Sequence, residues 1–339
     1  MFVNKIKIGK RLLSNNSKTY VIAEAGVAHL GNFDLAKKLV DIAVESKADA
    51  VKFQAYITDE LIDRKYLSWY KKYKIKEVDF NFLKKIKKYC DKKKIEFLCT
   101  PHSNSAIEWI EKLKVKAIKV GSGELGNFQF LNKICNLNLP VIISLGMHNK
   151  EDIKRLKKFL KNKKNKKIIF LNCCTSYPAN PTQINLNKIH YIKKIFNNAL
   201  VGYSDHTNDD VAILSSVLMG AKIVEKHISV IFNDKKTQDW KVSFDKNDFS
   251  KMIDRIRSLE KMLNNSNFIG KTEERQKIWA TRSIFSNNYI QKHTKVKQKD
   301  LCFLRPGNGI RVSKYKSLLG KISKINIKNK TKLKINMFK

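Results

Sequence analysis

The sequence predicts an α/β chain, a (β/α)8 barrel followed by a small β-rich C-terminal domain. Short β-branched runs alternate with amphipathic helical stretches over the first three quarters of the chain, the pattern of a parallel sheet built from βα units. Eight such units recur at near-regular spacing, which favours a closed barrel over an open doubly wound sheet. Polar residues fall where the strand runs end, and the C-terminal ends of the strands are where a barrel assembles its site.

The strand runs are residues 20–24, 50–54, 96–100, 117–122, 141–144, 168–173, 200–204 and 222–226. Between them, residues 34–46, 81–93, 103–113, 151–160, 184–195 and 209–219 repeat apolar residues at helical spacing. A last amphipathic stretch, 249–263, precedes a polar segment from 264 to 277 that reads as a linker. From 281 onward the chain turns to short strand-like runs and turns, including Arg305-Pro306-Gly307-Asn308-Gly309. The organisation is therefore a barrel over 1–265, a linker over 266–280 and a small domain over 281–339. A piece below about 70 residues is marginal alone and is expected to lean on the barrel or on another subunit.

Composition narrows the function classes. Of 339 residues, 42% are apolar and 29% charged, as in soluble globular proteins, and no apolar run is long enough to span a bilayer. The start, residues 1–13, alternates cations with apolar residues and lacks a secretory apolar stretch, so a cytoplasmic chain without membrane attachment is expected. Six cysteines, two of them adjacent at Cys173 and Cys174, point to reduced thiols in strands and not to a disulfide framework. The net charge of +39 raises the question of nucleic acid. Its lysines, however, recur on polar helix faces, as at Lys84-Lys85, Lys87-Lys88, Lys92 to Lys94 and residues 161–167, with no nucleic-acid-binding motif beside them. A basic nucleic-acid-binding protein is thus the weaker reading, and attraction of small anionic substrates the stronger.

Chemistry-bearing residues converge on the strand ends. His206 and His227 end neighbouring strands beside Asp205 and Glu225, so two imidazoles either share one metal ion or cap loops by hydrogen bonding. Two protein ligands leave a metal open to water and substrate, suiting a Lewis acid, and mixed nitrogen and oxygen ligation suits Mn²⁺ over Mg²⁺. Lys52, Lys119, Thr100, Ser122, Ser144 and Ser204 ring the same mouth with cations and hydroxyls, a cradle for phosphate and carboxylate on one small ligand. Lysines buried at strand ends are costly unless they face an anion. Glu24 and Glu124 add two carboxylates that either manage protons or pair with Lys52 and Lys119. Gln54, Thr175 and Tyr177 stand at further strand ends.

The chain resembles the sialic acid synthases and their relatives that make legionaminic and pseudaminic acids. The resemblance runs through IAEAGVAHLGN (22–32), ADAVKFQ (48–54), CTPHS (99–103), IKVGSGEL (118–125), ISLGM (143–147), CTSYP (174–178), GYSDHT (202–207), VEKHI (224–228) and RPGNGI (305–310). It implies condensation of phosphoenolpyruvate with the aldehyde of an open-chain N-acetylated amino sugar. N-acetylmannosamine and a 2,4-diacetamido-trideoxyhexose are the candidates. By motif, His206 and His227 would hold Mn²⁺. Lys52, Thr100, Lys119, Ser122, Ser144 and Ser204 match phosphoenolpyruvate-binding positions, Glu24 and Glu124 match acidic residues flanking the reacting carbons, and Tyr177, Asp239 and Arg305 match sugar contacts. The last segment looks like the family's antifreeze-like (SAF) domain, which implies a domain-swapped homodimer with Arg305 reaching the other subunit's site.

Departures from the family pattern lie at Ala28-His29-Leu30-Gly31, where Asn-His-Asn-Gly is common, at His102, where Phe is common, and at Leu145, where Thr is common. A Schiff-base aldolase, with Lys119 or Lys52 forming an imine, is the competing enzyme reading.

Overall fold

A computed structural model describes residues 2–197, 199–233, 237, 239–264 and 266–339 of the chain. It divides into two compact units, residues 1–264 and 265–339.

The first unit opens with an antiparallel hairpin, β1 (Ile6–Ile8) and β2 (Arg11–Leu13). Eight parallel strands follow: β3 (Tyr20–Gly26), β4 (Ala50–Ala55), β5 (Glu96–Pro101), β6 (Ile118–Val120), β7 (Val141–Ser144), β8 (Ile168–Cys173), β9 (Leu200–Asp205) and β10 (Ile223–His227). They close in sequence order, with β10 pairing back onto β3, so the barrel expected from the eight βα repeats is present. All eight of its strands lie within two residues of the expected bounds. The shortest of them, β6, stops at Val120, where the chain turns into a 3-10 helix, Ser122–Glu124.

Alternation along the strands divides the core into two layers. Tyr20, Ile22, Ala50, Leu98, Ala117, Ile142, Ile169, Leu171, Leu200 and Ile223 pack inside the barrel with Ile6, Ile8 and Leu13, so the N-terminal hairpin plugs the end opposite the site. The opposite parity, for example Val21, Val51, Phe97, Ile143, Phe170 and Val224, packs against the helices. The helices packed against the strands each bury one stripe. In Phe80–Lys93 the residues Leu83, Ile86 and Cys90 face inward while Lys84, Lys85 and Lys88 lie in solvent, the arrangement expected of the lysine-rich helices. Caps set the starts: Asn32 accepts from the amides of Asp34 and Leu35, and Asn149 forms a capping box with Asp152. Within the expected helix 184–195, helical structure begins only at Lys188, after a 3-10 turn at Pro181–Gln183. Three described helices of this unit carried no sequence expectation, Thr58–Leu61, Leu67–Lys74 and Phe128–Asn136.

In the second unit, the segment read as a linker instead contains a helix, Lys271–Ala280, exposed along its whole length. The antiparallel pair β11 (Ser283–Ser286) and β12 (Leu301–Leu304) then packs over its own core of Ile284, Ile290, Val296, Ile310, Leu318, Ile327, Leu333 and Phe338. Among the described residues no helix is long and apolar enough to cross a membrane.

Candidate active site

Strand parity delivers the site. Positions that continue the inward-facing apolar residues, counted two at a time toward the C-terminal ends, are Glu24, Lys52, Gln54, Thr100, Lys119, Ser144, Cys173, Ser204, Glu225 and His227. Register sets the neighbours: Glu24 lies opposite Lys52 on one side and His227 on the other, and Glu225 opposite Ser204. They open into a cavity of about 380 Å³. Its walls also carry Ser122, Glu124, Thr175, Tyr177, His206 and Asp239, so every site residue expected from the sequence lines one cavity except Arg305. Arg305 stands in the second unit, exposed, on the loop after β12.

The floor is an ionic network. Lys52 Nζ lies 2.7 Å from Glu24 Oε2 and 3.6 Å from Glu225 Oε2, and donates to Thr100 Oγ1 at 3.0 Å. Lys119 Nζ donates to Ser144 Oγ at 2.8 Å and lies 3.7 Å from Glu225 Oε1. Ser204 Oγ donates to Glu225 Oε1 at 2.9 Å, and Gln54 Nε2 donates to Glu24 Oε1 at 3.0 Å. Glu225 is thus shared by both lysines. All four charged side chains are buried, which only mutual pairing makes tolerable. Desolvation alone would lower the Lys52 ammonium, but the Glu225 and Glu24 carboxylates outweigh it and leave its pKa above the ordinary lysine value. Lys119 ends below that value, because burial there exceeds the help from Glu225. Burial pushes the Glu225 carboxyl up, and the two ammonium groups more than reverse this, holding it well below the usual range.

The histidines form the second cluster. His206 and His227 have ring centroids 5.3 Å apart, and the Tyr177 ring lies 4.0 Å from His206, tilted by 34°. Burial lowers both imidazoles, His227 to about 3, so both are neutral near pH 7. His206 Nδ1 lies 2.6 Å from the Cys174 carbonyl oxygen. A carbonyl only accepts, so the proton resides on Nδ1 and Nε2 keeps its lone pair. Two neutral imidazoles at this separation fit a single divalent ion. Among the described residues no group of three or more His, Cys, Asp or Glu is placed to hold one, so the histidine pair would leave most of the coordination sphere to water and substrate.

Asp205, read from the sequence as a neighbour of the histidines, faces away from them. It has the outward parity of β9 and pairs with the fully buried Lys226 at 2.6 Å, while Thr207 Oγ1 donates to it at 2.8 Å. Glu124 is held at the rim by Asn127 Nδ2 at 2.7 Å and lies 3.8 Å from His102 Nδ1, not beside either lysine. Sequence reasoning left Glu225 out of the substrate-facing set, and Cys173 with it. Lys76, Tyr56 and Tyr73, which line the cavity from the segment between β4 and the helix Phe80–Lys93, carried no motif at all.

A closed (β/α)8 barrel with cations, hydroxyls and neutral imidazoles gathered at its strand ends is a barrel protein built to bind a small polar ligand there. The chain belongs to the NeuB family, whose model matches residues 39–268. It is 37% identical over 322 residues to an uncharacterised protein of Methanocaldococcus jannaschii, covering 94% of this chain and 93% of that one. It is 33% identical to the N,N'-diacetyllegionaminic acid synthase of Campylobacter jejuni, with 92% and 97% of the two chains covered. Among solved structures, N-acetylneuraminic acid synthetase from Leptospira borgpetersenii in complex with citrate superposes with a TM-score of 0.74 at 28% identity, covering 82% of this chain and 96% of that one.

Proposed function

We propose that the chain is a nonulosonic acid synthase. It condenses phosphoenolpyruvate with an N-acetylated amino sugar, N-acetylmannosamine or a 2,4-diacetamido-trideoxyhexose, to give a nine-carbon 2-keto sugar acid and phosphate. The observation that carries this reading is the pair of buried lysines, each hydrogen-bonded to a hydroxyl and both sharing Glu225, beside two neutral histidines. A ligand bearing phosphate and carboxylate would exchange these internal partners for its own oxygens, with Ser122, Ser144 and Ser204 as further donors.

In the condensation, C3 of phosphoenolpyruvate bonds to the aldehyde carbon and the aldehyde oxygen takes a proton. Water then adds at C2, and the resulting phosphohemiketal expels phosphate to leave the keto acid. Glu24, at the end of β3, and Glu124, after β6, are the groups available to hold or move those protons. Glu24, Glu124, Glu225 and Asp239 line the cavity against Lys52, Lys76 and Lys119, so an anionic ligand needs more positive charge than the side chains provide. A divalent cation, Mn²⁺ by ligand type, held by His206 and His227 would supply it and polarise the aldehyde. Tyr177 and Asp239 lie on the histidine side, where the sugar would sit, and Asp239 Oδ2 is 3.9 Å from His227 Nδ1.

The small unit is read as an antifreeze-like (SAF) domain whose Arg305 reaches the sugar in the partner subunit's site of a domain-swapped homodimer. A cytoplasmic location is supported by six free cysteines. The test is phosphate release from phosphoenolpyruvate across the candidate sugars, with and without Mn²⁺. Metal-dependent release with one sugar supports the reading. Silence across the panel in folded, metal-loaded protein removes it. The depressed Lys119 pKa favours, as a second reading, a Schiff-base aldolase, which borohydride trapping with a keto acid would reveal.

A further inference from the structure

We infer that Trp279 is a positioning residue, its indole holding the Arg305 guanidinium ready for the sugar. The inference rests on the sugar contact proposed for Arg305. The Arg305 guanidinium carbon lies 4.8 Å from the Trp279 ring centroid. Arg305 makes no hydrogen bond or ion pair among the described residues, so a stack on the indole orients it while leaving its N–H donors for a ligand. An unpaired arginine on a surface loop otherwise samples many rotamers, and binding must then bear the cost of ordering it.

The loop beneath is fixed just as firmly. Gly307 N donates to the Ile278 carbonyl at 2.8 Å, Ser283 Oγ donates to the Pro306 carbonyl at 2.7 Å, and Gly309 N donates to Ser283 Oγ at 2.8 Å. A Cβ on Gly307 would overlap Thr281 Oγ1, so only glycine permits this approach of the loop to the end of the helix Lys271–Ala280. That helix buries none of its residues, and Trp279 itself is 69% exposed. A tryptophan in such a place contributes little to a core. Its one described aromatic or cationic neighbour is Arg305.

The experiment uses the full-length, metal-loaded enzyme. Trp279→Ala is expected to raise the sugar KM about three- to fivefold, the scale of an exposed cation–π contact, without changing the phosphoenolpyruvate KM or kcat. Trp279→Tyr should restore most of it, and Trp279→Ala combined with Arg305→Ala should be no worse than Arg305→Ala alone. An unchanged sugar KM, or losses that multiply in the double variant, would overturn the inference. Fluorescence tests the stack apart from turnover: the Trp279 emission, taken as the difference between parent and Trp279→Phe, should shift when Arg305 is replaced by alanine. An unshifted emission overturns the inference whether or not any sugar is turned over, whereas a shifted emission without turnover with any sugar would fault the synthase reading alone.

Discussion

The Glu24 carboxylate stands 2.7 Å from the Lys52 ammonium, with both side chains almost completely buried. Removing one member leaves an uncompensated charge in the barrel, which costs about 3–5 kcal/mol, whereas removing both avoids that penalty. Lys52→Met should therefore lose stability on that scale in urea unfolding. Glu24→Gln/Lys52→Met should be at least as stable as Lys52→Met alone. If the two single losses simply add, the pair is not coupled.

Glu225 touches both lysines, but its removal affects them unequally. Lys52 keeps Glu24, while Lys119 keeps no carboxylate among the described residues, only the Ser144 hydroxyl and the Val120 carbonyl, and burial already sets Lys119 below the ordinary lysine value. In Glu225→Gln the Lys119 proton is expected to leave at lower pH. The phosphoenolpyruvate KM should then climb on the alkaline side by up to about tenfold per pH unit, beginning at lower pH than in the parent. KM profiles between neutral and alkaline pH check this. Parallel profiles would show that Glu225 does not keep Lys119 charged.

What could be read in advance follows from periodicity. Residues two apart on a strand share a face, so the apolar run that fills the barrel also predicts which polar residue at each strand end enters the cavity. Eight of the fifteen expected site residues meet there for that reason, and six more, Ser122, Glu124, Thr175, Tyr177, His206 and Asp239, line the cavity from the segments that follow the strands. Asp205, also at a strand end, points away from the cavity because one step from Ser204 reverses the face. Glu225 enters the cavity by the same rule, since it shares the inward parity of His227. Lys76 and the Lys271–Ala280 helix were illegible for a different cause. One reaches the cavity from an irregular loop, and the other buries no apolar stripe that a periodicity could report.

His29 supplies a pH dependence outside the ionic network. Burial, with a smaller effect from Lys76, lowers its imidazole from 6.5 to about 4. Its Nδ1 accepts from the Gly31 amide at 3.0 Å, and Nε2 has no hydrogen-bond partner among the described residues. Above pH 6.5 neither folded nor unfolded chain binds this proton, so the group's contribution is fully present. Between 6.5 and about 4 only the unfolded chain takes it up, and stability falls as pH falls, by about 3 kcal/mol in total. His29→Asn, which keeps an acceptor for Gly31, should flatten that window in denaturant melts across the pH range. An unaltered slope would mean the buried ring does not carry the effect.

Gly146 tests whether the hydroxyl cradle depends on close backbone approach. Its amide donates to Ser122 Oγ at 3.0 Å, fixing a hydroxyl that faces the cavity. A Cβ at this position would come within 2.7 Å of both Ser122 Oγ and Thr175 Cγ2, closer than real contacts allow. Neither neighbour is a long, flexible side chain, so the collision must be relieved by turning Ser122 away from the amide or by shifting the loop after β7. Both remove a donor from the place where phosphate or carboxylate is proposed to bind, and a lost hydrogen bond to a charged group is worth about 1.5–3 kcal/mol. Gly146→Ala is therefore expected to raise the phosphoenolpyruvate KM by about tenfold or more while the sugar KM changes little. Ser122→Ala in the same assay should give a similar loss, and the two together no more than either alone. A sugar KM that rises in step with that of phosphoenolpyruvate would instead mean that the whole mouth had shifted and that Gly146 serves the loop, not the cradle.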